Sequence, residues 1–403
     1  MRGTSKAERE AAASTVRPGF EAVREAFLEN FARRGEVGAG CCVYHRGEKV
    51  VDLWGGIRNQ KTGEPWERDT MVLVYSATKG MSGLAMALAH SRGWFDLDER
   101  VSRYWPEFAQ EGKGETTVRQ LLSHQAGLFA LDAPLDRGIV ADPDRLAGLL
   151  ARQKPAWRPG TRQGYHAITL GFYESELLRR VDPRHRTLGQ FFQEELADRL
   201  GLEFYIRLPE RIPDARLAPL VRPGMAAALF TVPPSLFVSF LNPGSRVRRA
   251  LRGSELPLQT ERIFARDLEI PAGGGVGTAR AMAHAYGVFA TGGKEIGLRE
   301  ETLRQLMAPA RPPRRGFRDA CLKVEVQFSL GFMKPGPKDA FAHPTAFGHA
   351  GSGGSFGFAD PHAQIGFAYV PNRMGTYLMD PRQVALRTAT YRSIGLADPF
   401  RGR

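Results

Sequence analysis

A serine and a lysine three residues apart stand at the start of the strongest helix pattern in the sequence. Ser76 and Lys79 lie in the run VYSATKG, residues 74–80, which is the only S-x-x-K match although the chain has ten lysines. Residues i and i+3 share one face of a helix, so the amine can reach the hydroxyl. A desolvated lysine near a helix N-terminus can lose its proton near neutral pH and then take the serine proton. The pair predicts nucleophilic catalysis, and its alternative is a helix-capping serine beside a solvated lysine.

A tyrosine that follows a Pro-Gly turn is the second candidate. The turn is RPGT at 158–161, and Tyr165 lies in the run GYHA at 164–167. Beside an ammonium group, the pKa of the Tyr165 hydroxyl would be lowered, and the hydroxyl could then shuttle protons. The alternative is an ordinary packed tyrosine in a loop.

A glycine-rich run, FGHAGSGG at 347–354, is the third candidate. Glycine beside a strand allows a ligand to approach the backbone closely. We expect one backbone N–H of this run to form an arm of an oxyanion hole, with the N–H of Ser76 as the other arm. The alternative is a hairpin whose glycines only bend the sheet.

In this order, the three runs resemble the serine β-lactamase and penicillin-binding-protein superfamily, whose pattern is S-x-x-K, then Y-x-N or S-x-N, then K-T-G. The chain is most similar to the esterase branch, the family VIII carboxylesterases, which are related to class C β-lactamases. The runs LLSHQAGL at 121–128, RPGT at 158–161 and GHAGSGGSFGFADP at 348–361 carry this likeness. The resemblance spans residues 20–395 and implies Ser76 as nucleophile, Lys79 as its activating partner and Tyr165 as general base.

Two positions depart from the superfamily pattern. Ala167 stands where the lactamase pattern has Asn, so one hydrogen-bond donor to a substrate amide is missing. His349 stands where the lysine of K-T-G would be, and a neutral histidine is a poor substitute for a cation at pH 7. Both departures disfavour β-lactamase and peptidase activity and leave ester hydrolysis intact. The expected site is catalytic at Ser76, Lys79 and Tyr165 and binds the substrate and its oxyanion at Ser76, His349, Gly351 and Ser352.

The elements that must position these residues are predicted from hydrophobic periodicity. We predict helices over 19–34, 77–92, 117–124, 170–180, 191–200 and 382–394. We predict strands over 355–359 and 364–370 and a β-hairpin whose strands, 39–43 and 50–54, flank a polar HRGEK turn. Strands at both ends around a helical middle favour an α+β fold, in which one sheet is built from both termini. With the resemblance, this implies a β-lactamase/transpeptidase-like fold, an antiparallel sheet flanked by helices. Residues 1–95 and 256–403 are expected to form a discontinuous domain that carries the sheet, and 96–255 an inserted, mainly helical domain.

Charge and composition exclude several other classes. The net charge of +13 comes mostly from arginine, without basic blocks interleaved with aromatics, so we expect a positive surface and no nucleic-acid partner. The three cysteines are odd in number, so we expect reduced thiols, as in a cytoplasmic protein. Their spacing does not suit a metal site, and we expect neither a metal nor a cofactor. The uncharged segment 225–241 is interrupted by Pro233 and Pro234, which argues against a membrane span. It is either an apolar cover near an acyl pocket or a pair of short core helices.

The sequence therefore predicts a carboxylesterase that cleaves a small-molecule ester through an acyl-enzyme on Ser76. An acyltransferase, a weak β-lactamase or a D-amino-acid peptidase would use the same residues. A catalytically inactive binding or scaffold protein of the same fold is the alternative outside the enzymes.

Overall fold

The computed structural model of the protein describes residues 14–222, 242, 244–252, 262–337, 340–376 and 379–396. The segment 225–241, with its two alternatives of apolar cover and core helices, lies outside these ranges. No helix of the described ranges combines the length and the apolar character that crossing a bilayer requires.

One large antiparallel sheet joins the two ends of the chain. Its strands, in spatial order β1-β3-β2-β12-β11-β10-β9-β8, pair antiparallel throughout, and β4 pairs with β3. The strands of the chain are β1 (Thr15–Val16), β2 (Gly38–His45), β3 (Glu48–Asn59), β4 (Glu64–Pro65), β5 (Val72–Leu73), β6 (Phe204–Ile206), β7 (Gly275–Gly277), β8 (Gln327–Ser329), β9 (Phe332–Lys334), β10 (Phe347–Ala350), β11 (Phe356–Asp360) and β12 (Ile365–Pro371). A second, three-stranded sheet has the order β5-β7-β6. Pairing of β2 with β12 confirms the prediction of one sheet from both termini.

The large sheet is buried on both faces. Successive side chains of a strand point to opposite faces, and the neighbours Cys41 and Cys42 accordingly belong to two different apolar clusters. Cys41 packs in the cluster that contains Phe27 of the first helix and Leu386 of the last. Cys42 packs in the cluster that contains the helices of the middle of the chain. The strands therefore read as nearly continuous apolar runs, and β12 is buried at every position.

The helices are α1 (Glu21–Arg33), α2 (Thr78–Ser91), α3 (Val101–Tyr104), α4 (Val118–Leu122), α5 (Arg137–Ala141), α6 (Pro143–Arg152), α7 (Thr169–Val181), α8 (Leu188–Phe192), α9 (Asp198–Leu200), α10 (Arg246–Arg252), α11 (Ala279–Ala290), α12 (Glu300–Met307) and α13 (Pro381–Ser393). The predicted helices over 19–34, 77–92, 170–180 and 382–394 are confirmed within a few residues as α1, α2, α7 and α13. The helix predicted over 191–200 is present as the continuous helical run of α8, a π-helical turn at Gln193–Ala197 and α9, which begins at Leu188.

Helix α2 is the central helix of the molecule and positions the predicted lysine. All of its residues except His90 are buried, and a helix that is apolar all round belongs in a core. Two glycines allow this close packing. A Cβ at Gly80 would lie 1.9 Å from the Tyr286 hydroxyl, and a Cβ at Gly83 would lie 2.7 Å from the Phe332 ring. The first turn of α2 is therefore held in a dry interior.

Candidate active site

Ser76 lies in a tight turn between strand β5 and helix α2. One turn of 3-10 helix, Tyr75–Ala77, leads directly into α2, and Tyr75 has a positive φ of 45°. A bulky residue in this conformation marks a constrained turn, as is common at functional sites. The alternative role of Ser76 as a helix cap is not found, because the N-cap of α2 is Ala77 and has no side-chain hydrogen bond. The turn leaves the Ser76 hydroxyl half-buried at the entrance of α2 rather than bound to the helix end.

Lys79 is fully buried one turn beyond Ser76. Its Nζ donates hydrogen bonds to Ser76 Oγ at 3.3 Å, to the Ala167 carbonyl at 2.7 Å and to the Ala272 carbonyl at 2.8 Å. Burial in this low-dielectric environment lowers the pKa of Lys79 to about 7, because it disfavours the charged form. Lys79 as the base that activates Ser76 stays a prediction, and the lowered pKa of its amine favours it.

The Ala272 carbonyl belongs to a glycine-rich loop that is distant from Lys79 in the sequence. The run GGGVG at 273–277 follows Ala272, and the backbone N–H of Gly275 donates to Thr78 Oγ1 at 2.8 Å. A Cβ at Gly275 would lie 2.5 Å from the same oxygen. The glycine at position 275 therefore lets this loop approach the first turn of α2.

The structure brings Tyr165 to the serine and the lysine. The Tyr165 hydroxyl is hydrogen-bonded to the Ser76 side chain, and Lys79 Nζ lies 4.8 Å from the centre of the Tyr165 ring. Stacking on Phe328, with ring centres 5.3 Å apart, fixes the ring. The expected lowering of the tyrosine pKa is wrong, because burial raises the pKa of Tyr165 by more than the hydrogen bond with Ser76 lowers it. At neutral pH Tyr165 is a neutral phenol, which can donate and accept a proton but is no phenolate base.

His349 lies beside the site and is uncharged. Its ring is buried, Nδ1 donates to the Ala350 carbonyl at 2.7 Å, and burial lowers the pKa of His349 to about 3. Its ring centre lies 6.1 Å from that of Tyr165. His349 is therefore a neutral side chain beside Tyr165 and supplies no cation where K-T-G would have one.

Gly351 and Ser352, which follow strand β10, have different environments. A Cβ at Gly351 would lie 2.1 Å from the Val74 carbonyl, so only glycine allows β10 to pack against the turn that carries Ser76. The N–H of Gly351 donates to the Ser355 carbonyl at 2.7 Å and is not available to a ligand. Within the described ranges, the backbone N–H groups of Ser76 and Ser352 donate to no acceptor. These two amides are therefore free to bind a ligand, and their role as the two arms of an oxyanion hole stays a prediction.

Two histidines behind Tyr165 were not predicted as part of the site. His124 follows helix α4 and has a positive φ of 59°, a conformation that cannot continue the helix. The His166 backbone N–H donates to His124 Nδ1 at 3.0 Å, and the Leu128 N–H donates to His166 Nε2 at 3.0 Å. Burial lowers the pKa of both imidazoles far below the usual range, so both rings are neutral. The sequence did offer one sign that His166 lies near the site, since it directly follows Tyr165.

No group of histidine, cysteine, aspartate or glutamate side chains within the described chain has an arrangement that would hold a metal ion. Cys41, Cys42 and Cys321 are buried, and burial raises the pKa of each thiol.

Comparison with known proteins agrees with this arrangement. Residues 20–390 match the family described as Beta-lactamase. The chain belongs to the beta-lactamase family. It is 34% identical over 368 residues to "Esterase/beta-lactamase LipL" of Mycobacterium tuberculosis, an alignment that covers 89% of this chain and 82% of LipL. Together, the family match and the esterase-named relatives identify a serine hydrolase.

Two solved structures have the same β-lactamase/transpeptidase-like fold. A family VIII carboxylesterase superposes with a TM-score of 0.81 at 35% identity, covering 94% of this chain and 98% of that one. EstA from Arthrobacter nitroguajacolicus superposes with a TM-score of 0.82 at 34% identity, covering 95% and 98%. The predicted fold class and the predicted superfamily, esterase branch included, are therefore both confirmed.

Proposed function

We propose that the protein hydrolyses carboxylic esters through an acyl-enzyme on Ser76. The observation that carries the proposal is the position of the Ser76 hydroxyl, which is hydrogen-bonded both to an amine with a pKa of about 7 and to a neutral phenol. A nucleophile within hydrogen-bond distance of a base is the arrangement that covalent catalysis requires. The names of "Esterase/beta-lactamase LipL" and of the family VIII carboxylesterase structure support the choice of an ester as substrate.

In the proposed reaction, Ser76 Oγ attacks the ester carbonyl carbon while its proton passes to Lys79 Nζ. The N–H groups of Ser76 and Ser352 stabilise the oxyanion of the tetrahedral intermediate. Collapse of this intermediate expels the alcohol, whose oxygen takes a proton from the Tyr165 hydroxyl, and the ammonium of Lys79 restores the proton of Tyr165. A water molecule then attacks the acyl carbon and loses its proton along the same path in reverse, which releases the acid and regenerates Ser76.

β-Lactams are poorer substrates in this proposal. Their carboxylate would need a cation near His349, and that imidazole is neutral because burial holds its pKa near 3. At Ala167, the lactamase asparagine is replaced by a residue whose carbonyl already accepts from Lys79. The site therefore offers an anionic amide substrate neither charge compensation nor an extra hydrogen-bond donor.

Ser76→Ala tests the proposal. We expect p-nitrophenyl acetate hydrolysis to fall by at least about a thousandfold with an unchanged melting temperature, because the nucleophile is lost and the half-buried turn keeps its shape. A fluorophosphonate probe is expected to label the wild type at Ser76 and to leave the variant unlabelled. Ser102→Ala is the control, since that hydroxyl only donates to the Gly114 carbonyl on the surface of the helical region. A wild-type protein that is neither labelled nor active on p-nitrophenyl esters would contradict the proposal.

A further inference from the structure

An open cleft on the surface is lined, among the described residues, by four positive charges and no negative one. Its volume is about 630 Å³, which suits a small-molecule ligand. The residues that line it include four arginines, a tryptophan and a threonine: Arg162, Arg246, Arg314, Arg315, Trp157 and Thr161. Every charged side chain of this described lining is thus a cation.

The four guanidinium groups have no protein partner in the part of the chain that the structure describes. None of them forms an ion pair or donates a side-chain hydrogen bond there. Elsewhere on the surface, arginines such as Arg119, Arg179 and Arg216 pair with carboxylates. Like charges around one cleft repel each other, and an anion bound between them would relieve that repulsion. The cleft therefore has the electrostatic character of an anion-binding site.

Backbone hydrogen bonds hold two of the arginines in place. The N–H of Arg314 donates to the Gly160 carbonyl at 3.0 Å, and the N–H of Arg315 donates to the Thr161 carbonyl at 3.1 Å. These bonds join the segment that carries both arginines to the Pro-Gly turn. The guanidinium groups take no part in them, so the two side chains are available to a ligand while their backbone is already positioned.

The cleft is distinct from the candidate active site. Ser76, Lys79 and Tyr165 are not among the described residues that line it. Apart from Ala156 and Trp157, that lining is polar, whereas a pocket for an acyl chain is lined mainly by apolar groups. The cleft therefore suits a charged ligand and not the acyl part of an ester.

We propose that this cleft binds a small molecule that carries two or more phosphate groups. A phosphate monoester carries about two negative charges at pH 7, so two such groups match four guanidinium groups. The planar fork of a guanidinium fits phosphate oxygens through two parallel hydrogen bonds. A phosphate offers three oxygens to several arginines at once, whereas a carboxylate offers two oxygens and one charge. The inference is independent of the proposed function, since no catalytic residue takes part.

Inorganic tripolyphosphate is the probe, and isothermal titration calorimetry at low and at physiological salt measures its binding to the full chain. We expect one site, which binds tripolyphosphate at least about a hundredfold more tightly than inorganic phosphate or citrate. Added salt should weaken this binding, because it screens the charges. Citrate tests whether negative charge alone suffices. Equal affinity for citrate would refute the assignment to phosphate, and no binding of tripolyphosphate at low salt would refute the site.

Arg314→Gln combined with Arg315→Gln removes two of the charges and leaves the backbone hydrogen bonds intact. We expect the affinity for tripolyphosphate to fall by about a hundredfold, because hydrogen bonds to charged groups are lost. Arg103→Gln combined with Arg392→Gln is the matched control, since both arginines are exposed on helices and, in the described ranges, pair with no carboxylate. The control removes the same net charge. A similar loss of affinity in both double variants would overturn the inference in favour of unspecific attraction to a positive surface.

Hydrolysis of p-nitrophenyl acetate separates this inference from the proposed function. Both double variants should keep the wild-type rate and melting temperature, since none of the four arginines is bonded to a residue of the candidate active site. Tight binding of tripolyphosphate by a protein without esterase activity would support the cleft and refute only the proposed function. Should the Arg314→Gln and Arg315→Gln variant not fold, Arg246→Gln carries the same measurement, with an expected loss of about tenfold.

Discussion

Ester hydrolysis by this protein is expected to rise with pH between 6 and 8 and then to level off. The titrating group is Lys79, whose pKa burial lowers to about 7. About one-tenth of the amine is neutral at pH 6, half at pH 7 and about nine-tenths at pH 8. For an exposed lysine at pH 7, fewer than about one side chain in a thousand would be in the neutral, basic form. The dry position therefore increases the population of the base roughly a thousandfold, a difference of about 5 kcal/mol in the cost of protonating the amine.

The assay is kcat/KM for p-nitrophenyl acetate from pH 5.5 to 9.5 at constant ionic strength, with spontaneous hydrolysis subtracted. Lys334→Met is the control, because Lys334 is also buried, burial also lowers its pKa to about 7, and its Nζ bonds to the Leu306 carbonyl away from Ser76. The limb should persist in that variant. Lys79→Arg should lose activity at every pH, since a guanidinium stays protonated. A profile that is flat between pH 6 and 8, or that rises only near pH 10, would refute Lys79 as the base.

Three further results are expected. Tyr165→Phe removes the hydroxyl that is hydrogen-bonded to Ser76 but keeps the ring stacked on Phe328. We therefore expect kcat to fall by about a hundredfold or more while the melting temperature stays unchanged. An unchanged kcat would exclude Tyr165 from proton transfer. Gly351→Ala should lower activity and should lower the free energy of unfolding by about 1–3 kcal/mol in chemical denaturation, because the new Cβ would clash with the Val74 carbonyl. Gly114→Ala is the control, since the nearest atom to a Cβ there is 3.8 Å away. Equal effects of the two substitutions would contradict the packing argument. Nitrocefin should be hydrolysed far more slowly than p-nitrophenyl acetate, and comparable turnover would show that neutral His349 does not limit β-lactam binding.

Much of the architecture could be predicted because it follows from local patterns. Helical periodicity located α1, α2, α7 and α13, and alternation located the strands at both ends of the chain. The spacing of Ser76 and Lys79 was enough to predict that the lysine amine lies beside the serine hydroxyl, because the two residues are one helical turn apart. The division into residues 1–95 with 256–403 and an inserted domain at 96–255 stays a prediction, as does the apolar cover at 225–241.

What the sequence could not predict depends on contacts between distant segments. The pKa of Tyr165 rises instead of falling because burial outweighs its hydrogen bond, and burial is a property of the assembled core. Gly351 could be singled out as a glycine, but that its N–H is taken by the Ser355 carbonyl follows only from the hairpin geometry. The burial of Glu174 in helix α7 could not be predicted, because a glutamate in an amphipathic helix is normally solvated.

The three hydrogen bonds of Lys79 have a consequence for how the protein folds. The serine is three residues away in the chain, but the two carbonyls that hold the amine are 88 and 193 residues away. Contacts of such long range form late, since each requires a large loop to close. A nascent or partly folded chain would carry the serine next to a hydrated, protonated lysine and would be inert towards esters. Reactivity at Ser76 therefore appears together with completion of the core, and during refolding the rate of fluorophosphonate labelling would time the last folding step.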